Sequence, residues 1–157
     1  MATIKCKRTP GQFGGAVPYG NTTVLAFTLA TNATGAVIDS NSTAAVASGD
    51  VIELGSLPEG FRLDDAQVIV TTAMTAAVTG SLGFKYVDGV DSADVPQDAA
   101  YFISGGALNA AGRLRATGTK LVTLPKPAVL TLTTGGAANA KASDIKVLVS
   151  GELLGPR

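Results

Sequence analysis

Apolar and β-branched residues recur along this chain in short runs, and several runs alternate with polar positions at the period of a half-buried strand. In residues 81–88, Leu82, Phe84 and Tyr86 alternate with Gly83, Lys85 and Val87. In residues 144–154, Ile145, Val147 and Val149 alternate with Lys146, Leu148 and Ser150. Residues 62–75 carry Val68, Val70 and Thr72 on one parity and Ile69 and Thr71 on the other. Runs at 21–30, 50–54, 100–103, 120–124 and 128–134 read as further strands, each punctuated by Gly, Pro, Asn or Asp. Gly55-Ser56-Leu57-Pro58-Glu59-Gly60 reads as a breaker after the run at 50–54. The Ala-rich stretches 72–78 and 107–111 are short and interrupted by Thr or Gly, so no helix is expected. About eight strands at short, even spacing predict an all-β fold, an antiparallel β-sandwich. The two-sheet jelly roll is its favoured form.

Two regions depart from that pattern. Thr9 to Gly20 is too rich in Gly and Pro to pair as an interior strand. Together with residues 1–8 it reads as an extended N-terminal arm, residues 1–20, ahead of a single sandwich domain at 21–157. Residues 88–98 form a loop with Asp88, Asp91, Asp94 and Asp98 at close spacing.

Composition narrows the function. The 157 residues include no His, no Trp and one Cys, which removes the commonest general base and the commonest soluble metal ligands. An enzyme is therefore not expected, and neither is a cofactor. Charged residues make up only 15% against 46% hydrophobic, and the formal net charge is zero. A free monomer usually keeps more charge on its surface, whereas interfaces between subunits are depleted in it. The competing reading is a weakly charged extracellular sandwich. No run approaches the roughly 20 apolar residues of a membrane helix, and the first ten residues do not resemble a secretory signal. Neither a membrane nor, at zero net charge, a nucleic acid is an expected partner.

Each candidate for chemistry has a plainer competitor. The loop at 88–98 offers carboxylates to a cation, but their spacing does not match a calcium-binding loop, and local Asp turns are favoured. Asp64-Asp65 reads as a turn before a strand rather than as half of a carboxylate pair. Residues 135–141 lack the Gly-Lys-Ser/Thr ending of a phosphate loop and read as a hairpin connection. Arg113 and Arg115 share one parity of a short strand. The sequons at Asn21, Asn32 and Asn41 are attributed to chance in a Thr-rich chain. Cys6 has no second Cys to pair with and no His to activate it, so it reads as a small residue in a terminal strand.

Gly49-Asp50-Val51-Ile52-Glu53-Leu54-Gly55-Ser56-Leu57-Pro58-Glu59-Gly60, then Leu63 and residues 67–71, resemble the capsid decoration (cement) proteins of tailed bacteriophages. The resemblance continues through Ser81-Leu82-Gly83-Phe84, Asp88-Gly89, Ala110-Ala111-Gly112-Arg113 and the strand at 144–149. The arm lies outside it. The resemblance implies a jelly-roll protein on the capsid exterior of an icosahedral head, bridging major capsid protein subunits as a small homo-oligomer, with no catalytic residues. A trimer is slightly favoured over a dimer.

Phe13 and Tyr19 are the expected anchors to the partner, supported by Lys5, Lys7 and Arg8. Packing of the two rings onto their own sandwich competes with that role. Two alternatives stay open. One is another virion component, such as a tail or fibre module; the other is a carbohydrate-binding sandwich using Tyr86 or Tyr101.

Overall fold

Successive side chains of a strand point to opposite sides, so alternation in the sequence becomes a buried and an exposed face. The computed structural model describes residues 1–6 and 22–155. Among these it forms strands β1 (Thr3–Lys5), β2 (Thr22–Thr31), β3 (Val51–Leu57), β4 (Phe61–Thr72) and β5 (Thr79–Tyr86). These are followed by β6 (Asp98–Ala107), β7 (Gly112–Arg115), β8 (Val122–Thr123), β9 (Ala128–Gly135) and β10 (Ser143–Leu153), with no helix among the described residues. One sheet runs β1-β3-β9-β5-β6 and the other β2-β10-β4-β7, with β8 also on β4. Every pairing is antiparallel except that of β1 with β3. The expected all-β sandwich is what forms.

β7 faces Gln67–Val70 and β8 faces Arg62–Leu63, so the two act as one interrupted strand along a single edge of β4. With β1 set aside, the principal strands then run 1-8-3-6 in one sheet and 2-7-4-5 in the other. Only β5 and β6 are joined within a sheet; the other links between principal strands cross from sheet to sheet. The connection at 136–142 is one of these crossings, from β9 to β10, and not the hairpin its Gly-rich sequence suggests.

The core lies between the sheets. β10 contributes Ile145, Val147 and Val149, β5 contributes Leu82, Phe84 and Tyr86, and β9 contributes Leu130 and Leu132, all buried. Where the apolar parity slips, a bulge takes up the extra residue. Phe61 and Leu63 point inward, and so do Ala66, Val68 and Val70; the register against β10 shifts between Ser150 and Gly151 to permit both sets. Asp64 and Asp65 sit at that shift, inside β4 rather than in a turn before it. Their carboxylates pair outside the core with Arg62 and Arg115. A second shift, between Glu53 and Gly55, carries β3 on through residues 55–57 and buries Leu57. The expected breaker therefore begins three residues late.

The start of the expected arm also departs from its reading. Thr3–Lys5 pair in parallel with Val51–Glu53, and Ile4 is buried in the core. The backbone N–H of Ala2 donates to Asp50 Oδ1 at 2.7 Å, and that of Cys6 to the Glu53 carbonyl at 3.0 Å. An apolar residue flanked by polar ones can complete a sheet edge over only three residues when both of its ends are hydrogen-bonded in this way.

The sandwich has two unlike ends. One carries the β3–β4 turn, the β5–β6 loop, the 116–127 segment and the C-terminal stretch, which meet through Gly60 N–H to Leu124 O and Leu154 N–H to Gly60 O. The other carries residues 32–50, 73–78, 108–111 and 136–142, tied together around the buried Asn139.

Candidate functional site

Lys5 lies on β1 with its side chain mostly in solvent, 3.3 Å from Glu53 Oε2. Lys85 on β5 reaches the other carboxylate oxygen at 2.7 Å. Burial pushes the Glu53 carboxyl up, but hydrogen bonding and charge from Lys85 and then Lys5 outweigh it and hold the group below the ordinary range. Lys5 is thus engaged within its own sandwich. Lys7, Arg8, Phe13 and Tyr19 lie outside the described residues.

Cys6 is half-buried, and burial pushes its thiol up, the direction that suppresses the thiolate. Among the described residues no group of three or more His, Cys, Asp or Glu is placed to hold a metal ion. The loop carboxylates turn to separate tasks instead. Asp88 Oδ1 accepts from the Val90 N–H, Asp91 Oδ1 from those of Ser92 and Gln97, and Asp98 Oδ1 from that of Ala100. Asp88 also binds Lys126 at 2.7 Å, and that hydrogen bond holds its carboxyl low.

The two tyrosines considered for carbohydrate stacking are buried in the core. Tyr86 donates its hydroxyl to the Val95 carbonyl and Tyr101 donates to the Lys120 carbonyl at 2.7 Å. Phe84 stands between them, edge-on to both rings. This arrangement fastens the β5–β6 loop and residue 120 to the core, and it leaves neither ring free as a platform.

What this end presents instead is a cavity of about 310 Å³, bounded by Phe84, Tyr101 and Val122 with Asp94 and Lys120 among its other walls. Val87, Val90, Leu121 and Leu154 are exposed around the same end. The sequence pattern predicts local Asp turns in this loop and does not mark its apolar members. The available signal was two valines among turn-forming Asp and Gly residues.

No family model matches the chain, and no curated protein is similar to it. Solved structures are. A chain in the capsid of Ralstonia phage GP4 superposes with a TM-score of 0.64 at 18% identity, covering 96% of this chain and 97% of that one. A chain of the cyanophage Pam1 capsid asymmetric unit gives 0.58 at 16% identity, covering 89% and 90%. One in the acidic stable capsid structure of Helicobacter pylori bacteriophage KHP30 gives 0.50 at 12%, covering 83% and 90%.

The likeness is one of fold. It runs nearly end to end with the GP4 chain. Function has to be argued from the site. In this chain the candidate site is a surface with exposed apolar residues, a cavity and carboxylates.

Proposed function

We propose that this chain is a virion structural protein, and within that class a decoration protein on the outside of an icosahedral phage head, where it bridges major capsid protein subunits. The observation that carries the reading is the fold shared over 96% of the chain with a phage capsid structure. Two features of the chain support it further. The strand order 1-8-3-6 over 2-7-4-5 suits a jelly roll, the form expected of decoration proteins from the sequence resemblance. The balance of 12 acidic and 12 basic residues in 157 suits a protein that hides much of its surface in an assembly.

The mechanism is non-covalent clamping. One domain contributes a modest contact, and a homo-oligomer, a trimer at a local three-fold position, joins several such contacts into an avid one. Phe13 and Tyr19, with Lys7 and Arg8, would extend that contact along the arm. Lys5 is the weaker member of the set because Glu53 already engages it.

The test is co-sedimentation of purified protein with heads assembled without it. Stoichiometric binding is expected, with Phe13→Ala/Tyr19→Ala weakening it. Point variants are preferred to removal of residues 1–20, which would also strip the buried Ile4 from the core. A folded protein that ignores heads and binds tails instead would move the reading to a tail or fibre module.

A further inference from the structure

We propose that the end of the sandwich formed by the β5–β6 loop, the 116–127 segment and the β3–β4 turn is the face that docks on the shell, and that the protein surface it meets presents Lys or Arg beside apolar residues. The inference rests on the decoration reading and adds to it the face and the chemistry of the contact.

The distribution of exposed apolar side chains comes first. Seven large ones are exposed among the described residues, and four of them, Val87, Val90, Leu121 and Leu154, belong to this end. The opposite end has Ile38 and Met1. Val87 and Val90 are 64% and 61% exposed, whereas the third valine of the same loop, Val95, packs against the core. Exposed apolar residues gathered within a polar rim mark contact surfaces.

Charge selects the partner. Glu59, Asp88, Asp91, Asp94 and Asp98 belong to this end against Lys120 and Lys126. Lys126 is already taken, by Asp88 and by the Tyr86 ring 4.6 Å away. No hydrogen bond or ion pair among the described residues engages the Asp94 carboxylate, which borders the cavity. Phe84, Tyr101 and Val122 give that cavity apolar walls, and the hydroxyl of Tyr101 is occupied in donating to the backbone carbonyl of Lys120, which also lines it. A basic side chain matches this combination, with its hydrocarbon stem along the aromatic wall and its cationic head at Asp94. An acidic partner would meet like charge.

The test uses heads assembled without this chain, mixed with the wild type or with Val90→Asp/Leu121→Asp, Asp94→Lys or the opposite-end control Ile38→Asp. Each variant is checked for folding by circular dichroism. Wild type and Ile38→Asp are expected to bind alike, and more weakly as salt rises. The double variant should bind about tenfold or more weakly, and Asp94→Lys about fivefold or more weakly. If both end variants bind as well as wild type, this face is not the contact, and the decoration reading survives without it. If wild type itself does not bind, both fall. If the double variant still binds heads but loses a self-association that the wild type shows by sedimentation, the face belongs to a second copy and the proposal is overturned.

Discussion

Asn139 fills the whole capacity of its side-chain amide while only 1% exposed. Its Oδ1 accepts from the Thr75 N–H at 3.1 Å and the Thr75 hydroxyl at 3.2 Å. Its Nδ2 donates to Thr31 Oγ1 at 3.1 Å and to the Lys141 carbonyl at 2.9 Å. One residue thereby joins the end of β2, the β4–β5 connection and the β9–β10 crossing. Removing the amide would leave several buried groups unpaired, so Asn139→Ala should cost about 2–4 kcal/mol. Denaturant unfolding would measure it, and a cost under about 0.5 kcal/mol would contradict this network. Glu53 makes a smaller, pH-dependent contribution. Its folded carboxyl is lowered, so its stabilisation is complete above the ordinary value of 4.5 and is lost as pH falls through the lower folded value. Since Lys5 is 62% and Lys85 38% exposed, Glu53→Gln should cost only about 0.5–1 kcal/mol at neutral pH. That difference should close in acid; a difference that persists there would mean packing rather than charge is responsible. Neither role was legible in the sequence. Asn139 stands in a run of Gly and Ala that reads as a loop, and two of its partner residues, Thr75 and Thr31, lie more than 60 residues away along the chain.

At the scale of elements, alternation carried the long strands well. The runs at 81–88, 128–134 and 144–154 predicted β5, β9 and β10 to within about two residues at each end. It failed where parity slips, because a bulge looks in sequence like the end of a strand: Leu54 to Leu57 and Leu63 to Ala66 both change parity while staying on the buried face, and each reads as a break or a turn. It also failed at β1, where three residues are too short for periodicity to register. The glycines show why pairing cannot be read from propensity alone. A Cβ on Gly83 would run into the Asp98 carbonyl and the Ala99 backbone, so this mid-strand glycine lets the start of β6 lie close over β5. β1 gives this scale its prediction. Ile4 is 1% exposed, and Ile4→Ala should cost about 2–4 kcal/mol in thermal or denaturant unfolding. A near-neutral result would place β1 off the core in solution.

At the scale of the whole molecule, the two ends of one sandwich are held together differently. One is knitted by buried polar bonds around Asn139. The other is fastened by Tyr86 and Tyr101 and leaves valines, a leucine pair and carboxylates facing outward. All-β class and sandwich architecture follow from strand periodicity. The proposed contact face could not be found that way, because it draws on the β3–β4 turn, the β5–β6 loop and the 116–127 segment, which only the fold brings together. Cryo-electron microscopy of the intact virion would show directly whether this chain decorates the head. Sandwich-sized density is expected on the outer surface of the head at lattice positions between capsid subunits, with the β5–β6 end toward the shell. Density for this chain confined to the tail, or a head surface without it, would contradict the account.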